Sequence, residues 1–181
     1  MAPLVTALAD NLEGFLDRPY AFFGHSMGAA VAFELVRELR RRQRPLPQML
    51  IASGARAPQF RRDHVPPPAP TPELLVDELR RLGGMPPELL DSPALLRAIL
   101  PALQADVTLY RNYVYTEDAP LPVPIRAYGG REDANVTRAH LEAWAAQTTA
   151  SFAVREFSGG HFYLHDVPEL LAAALAEDLS G

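Results

Sequence analysis

Apolar positions along the chain follow two rhythms. Four short runs are β-branched, aromatic or unbrokenly apolar: 19–23, 49–52, 125–128 and 151–157. Around them lie stretches with apolar residues at helical spacing: 4–16, 29–42, 137–147 and 168–179. Strand and helix in alternation predict an α/β fold, a mostly parallel sheet flanked by helices, because parallel neighbours are joined by a crossover lying on a face of the sheet. All strand C-termini then share one edge, where sites are assembled.

The second and third runs are separated by about 70 residues, far more than one crossover needs. This stretch opens on Val65-Pro66-Pro67-Pro68-Ala69-Pro70. Thr71 then reads as an N-cap, with Pro72 at the first helical position and Glu73 in the first turn. Leu74, Leu75, Val76, Leu79 and Leu82 make an apolar face, and Gly83-Gly84 ends the helix. Ser92-Pro93 starts a second helical stretch running to Tyr110, which Pro101 must kink or restart. The expectation is one domain over 1–181, with a helical cap inserted at about 56–120. Packing of an extra helical layer on the core is compatible with that role.

The first strand runs directly into Gly24-His25-Ser26-Met27-Gly28, and a helix-forming stretch follows. Gly-x-Ser-x-Gly between strand and helix marks a turn so tight that the serine is held in a strained conformation with its hydroxyl exposed. Small residues two before and two after it relieve crowding. Ser26 would stand at a helix N-terminus, whose partial positive charge favours an oxyanion, and the Met27 N–H would be one oxyanion donor.

Composition narrows the chemistry. The net charge is −5, so neither a nucleic acid nor an anionic membrane is an expected partner. No cysteine is present, which removes disulfides, thiolate metal sites and a cysteine nucleophile. No apolar run approaches a membrane span, and the first residues lack the basic and long apolar regions of a secretory signal. A soluble, cytoplasmic, monomeric protein is expected.

A serine hydroxyl needs a base within hydrogen-bond reach, and the base needs a partner that fixes its tautomer. Of the five histidines, His25 lies beside Ser26 within the turn, His64 in the proline-rich loop, and His140 on a helix face among Arg138, Glu142 and Trp144. His161 follows the fourth strand after Gly159-Gly160, where the backbone can bend it inward. His165 stands at helical spacing from it, but no third ligand completes a metal site, so no metal and no cofactor is expected. The acid should follow the third strand, at Gly129-Gly130-Arg131-Glu132-Asp133; Asp133 is preferred, with Val136 three residues later, and Glu132 is the alternative. The order Ser26, Asp133, His161 is that of α/β-hydrolases.

These residues, together with further landmarks, make the chain resemble the type II thioesterases of polyketide and nonribosomal peptide synthesis over nearly all its length. The landmarks include Ser53-Gly54-Ala55-Arg56-Ala57-Pro58, Leu141-Glu142-Ala143-Trp144 and Gly159-Gly160-His161-Phe162-Tyr163-Leu164. Two fall in the insertion, which generic esterases lack: Leu79-Arg80-Arg81-Leu82-Gly83-Gly84-Met85-Pro86 and Leu100-Pro101-Ala102-Leu103-Gln104-Ala105-Asp106. The resemblance implies an α/β-hydrolase fold with Ser26 as nucleophile, His161 as base and Asp133 as its orienting acid. It implies hydrolysis of aberrant or stalled acyl groups from the phosphopantetheine arm of acyl or peptidyl carrier proteins. Rival readings are a medium-chain fatty acyl-carrier thioesterase, a general carboxylesterase, and an inactive carrier-binding remnant.

Family members carry a further N-terminal region, which supplies earlier strands and a second oxyanion N–H; residues 1–19 do not resemble it. The chain therefore reads as N-terminally truncated, either a fragment or a sequence begun at an internal methionine. Residues 20–23 would then form an exposed apolar edge, and loss of one oxyanion donor would cost about 100- to 1000-fold in turnover. Arg37, Arg40, Arg41, Arg42 and Arg44 crowd the end of the helix after Ser26. Interaction with the helix dipole is the favoured reading, and docking of an acidic carrier protein the alternative.

Overall fold

The computed structural model describes residues 1–61, 63, 65–66 and 70–180. His64 and residues 67–69 of the proline-rich run lie outside them. Four parallel strands, β1 (Ala21–His25), β2 (Met49–Ser53), β3 (Ile125–Gly130) and β4 (Phe152–Phe157), are ordered β1-β2-β3-β4. Ala21 pairs with Met49, Leu50 with Ile125, and Ile125 with Phe152. β1 and β3 run farther than the apolar pattern indicates, because the ladder continues through polar and glycine residues up to the edge where the chain turns. Gly129 and Gly130 pair with Glu156 and Phe157. A Cβ on Gly130 would lie 2.1 Å from the Gly160 carbonyl oxygen, so this glycine lets the β3 and β4 loops converge.

Alternation along the strands sends side chains to two cores. Leu50, Ala52, Ile125 and Ala127 face one side with Phe33, Val36 and Trp144. Met49, Ile51, Tyr128 and Phe157 face the other with Tyr163 and Ala174. α2 (Met27–Arg41) covers the first side and α8 (Pro168–Ser180) the second. α1 (Ala2–Asn11) packs Val5 and Ala9 against Leu35 and Leu39 of α2. β1 is an edge of the described sheet, and Phe23 on it is 42% exposed.

α8 is fastened electrostatically as well. Asp178 accepts from Arg155 Nε and Nη2, both at 2.9 Å, from Arg126 Nε at 3.2 Å, and from the Tyr128 hydroxyl. Burial pushes this carboxyl upward, but Arg155, Tyr128 and Arg126 outweigh it and hold it below the ordinary range. Asp178→Ala would remove the acceptor of four donor groups on three residues. A loss of about 2–4 kcal/mol in urea unfolding is expected; a loss under about 0.5 kcal/mol would mean that water replaces the carboxylate.

The insertion between β2 and β3 holds α3 (Pro72–Leu82), α4 (Pro87–Leu90) and α5 (Pro93–Arg111). Thr71 and Ser92 cap α3 and α5, accepting from Leu74 N and Leu95 N. Gly83 ends α3 in the left-handed conformation, φ 70°. α5 does not restart at Pro101: it is one helix with the proline inside. None of the residues of α5 is buried, so the carbonyl that Pro101 leaves without an amide donor has access to water. The 137–147 helix also differs from expectation. α6 (Arg138–Glu142) stops early, and Ala143–Gln147 tightens into a 3₁₀ turn. Three residues per turn place Trp144 and Gln147 on one face, and both are buried. Likewise 4–16 divides into α1 and a 3₁₀ turn, Glu13–Phe15. A four-residue helix, α7 (Tyr163–Asp166), follows the β4 loop.

Candidate active site

The site lies at the C-terminal edge of the sheet. Ser26 joins β1 to α2 with φ 54° and ψ −117°, a strained region for a residue with a Cβ. Its N–H donates to the Ser53 carbonyl at 2.8 Å, which pins the turn to the end of β2. A Cβ on Gly24 would lie 2.2 Å from the Gly28 carbonyl oxygen, so a side chain is excluded there. A Cβ on Gly28 would meet nothing within 4 Å, which corrects the expectation that both glycines relieve side-chain crowding. Met27 opens α2, so its N–H is among the first four, which have no acceptor within the helix.

His161 Nε2 is 3.0 Å from Ser26 Oγ, and His161 Nδ1 is 2.6 Å from Asp133 Oδ2. Asp133 is 6% exposed and His161 8%. An ionised carboxylate only accepts, so Nδ1 carries the proton and Nε2 is left bare toward the serine hydroxyl. Asp133 Oδ1 accepts from the N–H groups of Asn135 at 2.8 Å and Val136 at 3.2 Å. Burial pushes this carboxyl up, but the His161 bond and the two backbone donors prevail and hold it below the usual range. Glu132, the alternative acid, turns instead to the Gly159 N–H, and its own N–H donates to the Gly159 carbonyl at 3.1 Å. It secures the loop that carries His161. Ser26, His161 and Asp133 are thus joined in one chain of polar contacts, the arrangement that a serine nucleophile, a base and an orienting acid would require.

The thioesterase domain family matches residues 1–178. The chain belongs to the thioesterase family. Similar known proteins include linear gramicidin dehydrogenase LgrE of Brevibacillus parabrevis, 40% identical over all of this chain and 70% of that protein. Thioesterase PikA5 of Streptomyces venezuelae is 39% identical over 81% of this chain and 52% of its own length. Among solved structures, the type II thioesterase BorB of the borrelidin cluster superposes with TM-score 0.86 at 34% identity, covering 97% of this chain and 71% of that one. The resemblance to type II thioesterases read from the sequence therefore holds, as does the α/β-hydrolase fold. The chain spans between half and three quarters of these relatives' lengths.

His140, His165 and His25 of this thioesterase-family chain make contacts that the sequence pattern conceals. His140 is not merely a solvated helix residue: its Nδ1 accepts from the Thr137 N–H at 3.1 Å, closing a capping box, and its ring meets Phe60 edge-on at 5.0 Å. His165 stacks on Phe162 with ring centroids 5.8 Å apart and lines an open cleft of about 520 Å³ with Arg80, Met85, Leu90 and Asp91. Both nitrogens of His161 are engaged by Ser26 and Asp133, so neither is directed to a metal shared with His165. The arginines beyond Ser26 are also occupied. Arg37 is buried against Glu34, Arg40 pairs with Asp118, Arg41 and Arg42 with Glu38, and Arg44 with Glu13. They gather toward the far end of a 15-residue helix, about 16 Å or more from Ser26.

His25 packs 5.1 Å from His161, ring to ring. Its Nδ1 is 2.9 Å from Ser53 Oγ, which in turn lies 2.6 Å from the Tyr163 hydroxyl. Its buried Nε2 has no hydrogen-bond partner among the described residues. Gly54 makes room for the ring at φ 58°, where a Cβ would approach His25 Cε1 to 2.6 Å. Burial, followed by the nearby His161, pulls the His25 imidazole down to about 4. The folded chain thus refuses a proton that the unfolded chain accepts below about pH 6.5. This group's contribution to stability is complete above that pH and is lost as pH falls toward about 4. His25→Asn should flatten the pH dependence of urea unfolding between pH 7 and pH 5, by up to about 1.4 kcal/mol per pH unit. Identical slopes in the two proteins would show that His25 titrates normally. Among the described residues no helix is long and apolar enough to cross a membrane.

Proposed function

We propose that the chain hydrolyses acyl thioesters carried on the phosphopantetheine arm of carrier proteins, clearing stalled or aberrant acyl groups from polyketide or nonribosomal peptide synthases. The observation that carries this reading is the alignment of Ser26, His161 and Asp133 at 3.0 and 2.6 Å in a chain of the thioesterase family. Ser26 Oγ attacks the thioester carbonyl while His161 Nε2 takes its proton, and the Met27 N–H faces the oxyanion. His161 returns the proton as the C–S bond breaks; a thiol of pKa about 8.5 leaves readily. Water, deprotonated by His161, then attacks the acyl-serine and releases the acid and Ser26. Asp133 holds the Nδ1–H tautomer and stabilises the imidazolium between these steps. No cofactor enters the scheme.

Residues 56–120 act in this reading as a cap over the site, with α3, α4 and the turn between them bordering the cleft beside His165. The protein works as a cytoplasmic monomer that meets its carrier partner in solution. The name of LgrE denotes a dehydrogenase, but these 181 residues contain no Gly-x-Gly-x-x-Gly run for a dinucleotide. The deciding experiment is release of free thiol from acetyl- or propionyl-loaded carrier protein, with a free ester of the same acyl group in parallel. Faster turnover of the carrier-bound thioester supports the proposal. Preference for the free ester would assign a general esterase, and carrier binding without turnover a binding module.

A further inference from the structure

Phe162 follows the proposed base directly and takes no part in the proton path. Its ring is enclosed on several sides. His161 stands edge-on to it, with ring centroids 5.1 Å apart and planes at 88°. His25 lies at 5.4 Å and His165 stacks at 5.8 Å. A further contact comes from the cap. A Cβ on Gly84 would sit 2.3 Å from Phe162 Cε2 and 2.7 Å from Cζ, so the bare backbone after α3 rests against the ring. The two adjacent glycines answer different needs. Gly83 is required by its left-handed φ of 70°, whereas Gly84 is not among the positive-φ residues. The backbone at Gly84 would accept a side chain; the Phe162 ring excludes it.

We propose that Phe162 is a positioning residue through which the cap sets the His161 imidazole. The inference rests on the acyl-transfer reading of Ser26 and His161. The base is carried by a loop with Gly159 at φ 109° and Gly160 beside it, which by itself holds a side chain loosely. Asp133 and Ser26 hold the two ring nitrogens, but rotation of the ring about the line through them must be limited from another side. The Phe162 edge-to-face contact limits it, and Gly84 keeps Phe162 from swinging away. Seating of the cap and alignment of the base therefore belong to one equilibrium. A misplacement of about 1 Å at such a base costs on the order of 100-fold in rate.

The test compares Phe162→Ala, Gly84→Leu and the double variant on p-nitrophenyl acetate, a substrate too small to need the cap for binding. Phe162→Ala should lower kcat about 10- to 100-fold while KM stays within about twofold. Gly84→Leu, which drives a side chain into the ring, should give a similar loss. In the double variant the leucine refills the vacated space, so at least tenfold of the Phe162→Ala loss should return. The ¹⁵N shifts of the His161 ring supply a readout independent of turnover: a fixed Nδ1–H tautomer in the wild type, averaged in both single variants. If Phe162→Ala fails to fold by circular dichroism, Phe162→Leu is read in its place. An unchanged tautomer with unchanged kcat, or losses that simply add in the double variant, would overturn the proposal. If the wild type shows no Ser26-dependent turnover, the hydrolase reading fails, and the ring shifts alone still decide whether Phe162 positions His161.

Discussion

Replacing Ser26 with alanine is expected to lower kcat toward an acyl-loaded carrier protein by about 10⁴- to 10⁶-fold. Without the hydroxyl, His161 Nε2 faces a methyl group and no acyl-enzyme forms. Residual hydrolysis would come from water acting within the pocket. Ser26→Gly should remove the same chemistry while acting oppositely on the fold. The φ of 54° and ψ of −117° cost a side-chain-bearing residue about 1–3 kcal/mol. Glycine escapes that cost but gives back roughly 0.5–1 kcal/mol through its freer unfolded chain. A net gain near 1 kcal/mol corresponds to a Tm rise of about 2–4 °C for a chain of this size. Single-turnover acid release and calorimetry on both variants check the pair. Activity lost from a fold of equal or greater stability places the defect in the chemistry. A kcat within tenfold of wild type in Ser26→Ala would require another nucleophile.

How much of this site can be read from the amino-acid order depends on how local its determinants are. The turn at Ser26 is legible because strand, Gly-x-Ser-x-Gly and helix are contiguous, and a steep strand-to-helix reversal needs Gly24 within a few residues of the serine. His161 and Asp133 are legible because each follows its strand directly, and parallel strands deliver their C-terminal loops to one edge. The choice between Asp133 and Glu132 is harder, since both are carboxylates on the same loop. It depends on the backbone of the turn. Asp133 N bonds the Gly130 carbonyl, which closes the turn and aims the shorter side chain inward, while Glu132 reaches across to Gly159.

Long-range contacts have no such local trace. Gly84 and Phe162 are far apart in sequence, and a glycine after a helix reads as a cap whether or not an aromatic ring lies above it. His25 falls within the best-defined motif of the chain, yet its burial depends on Ser53, Gly54 and Tyr163 from two other segments. The sequence also leaves α5 open between a kink and a restart at Pro101, where the helix runs on, and it misjudges the stretch after α6. Solvent tolerates the broken hydrogen bond in the first case. In the second, the two buried side chains of Trp144 and Gln147 override the α-helical period.

Asp133→Asn is expected to lower kcat about 10⁴-fold with the geometry of the site preserved. The amide oxygen can still accept from the Asn135 and Val136 N–H groups, so the side chain keeps its place. Its NH₂ then faces His161 Nδ1, which must become the acceptor. The proton moves to Nε2 and points at the Ser26 hydroxyl, and the base is lost through its tautomer rather than its position. The carboxylate also carries an acid-sensitive part of stability. Its folded pKa lies below the ordinary value: burial opposes ionisation, but the His161 bond and the two backbone donors outweigh it. That contribution is complete above about pH 4 and disappears as pH falls through the depressed value. Wild-type unfolding free energy should therefore fall more steeply than that of Asp133→Asn below about pH 4. Glu132→Gln is the informative comparison. Its amide can still accept the Gly159 N–H, so a kcat within about tenfold of wild type is expected, a neutral acceptor losing only part of a hydrogen bond. Equal losses in the two variants would mean that securing the His161 loop matters as much as setting its tautomer, and would remove the ground for assigning Asp133 the orienting role.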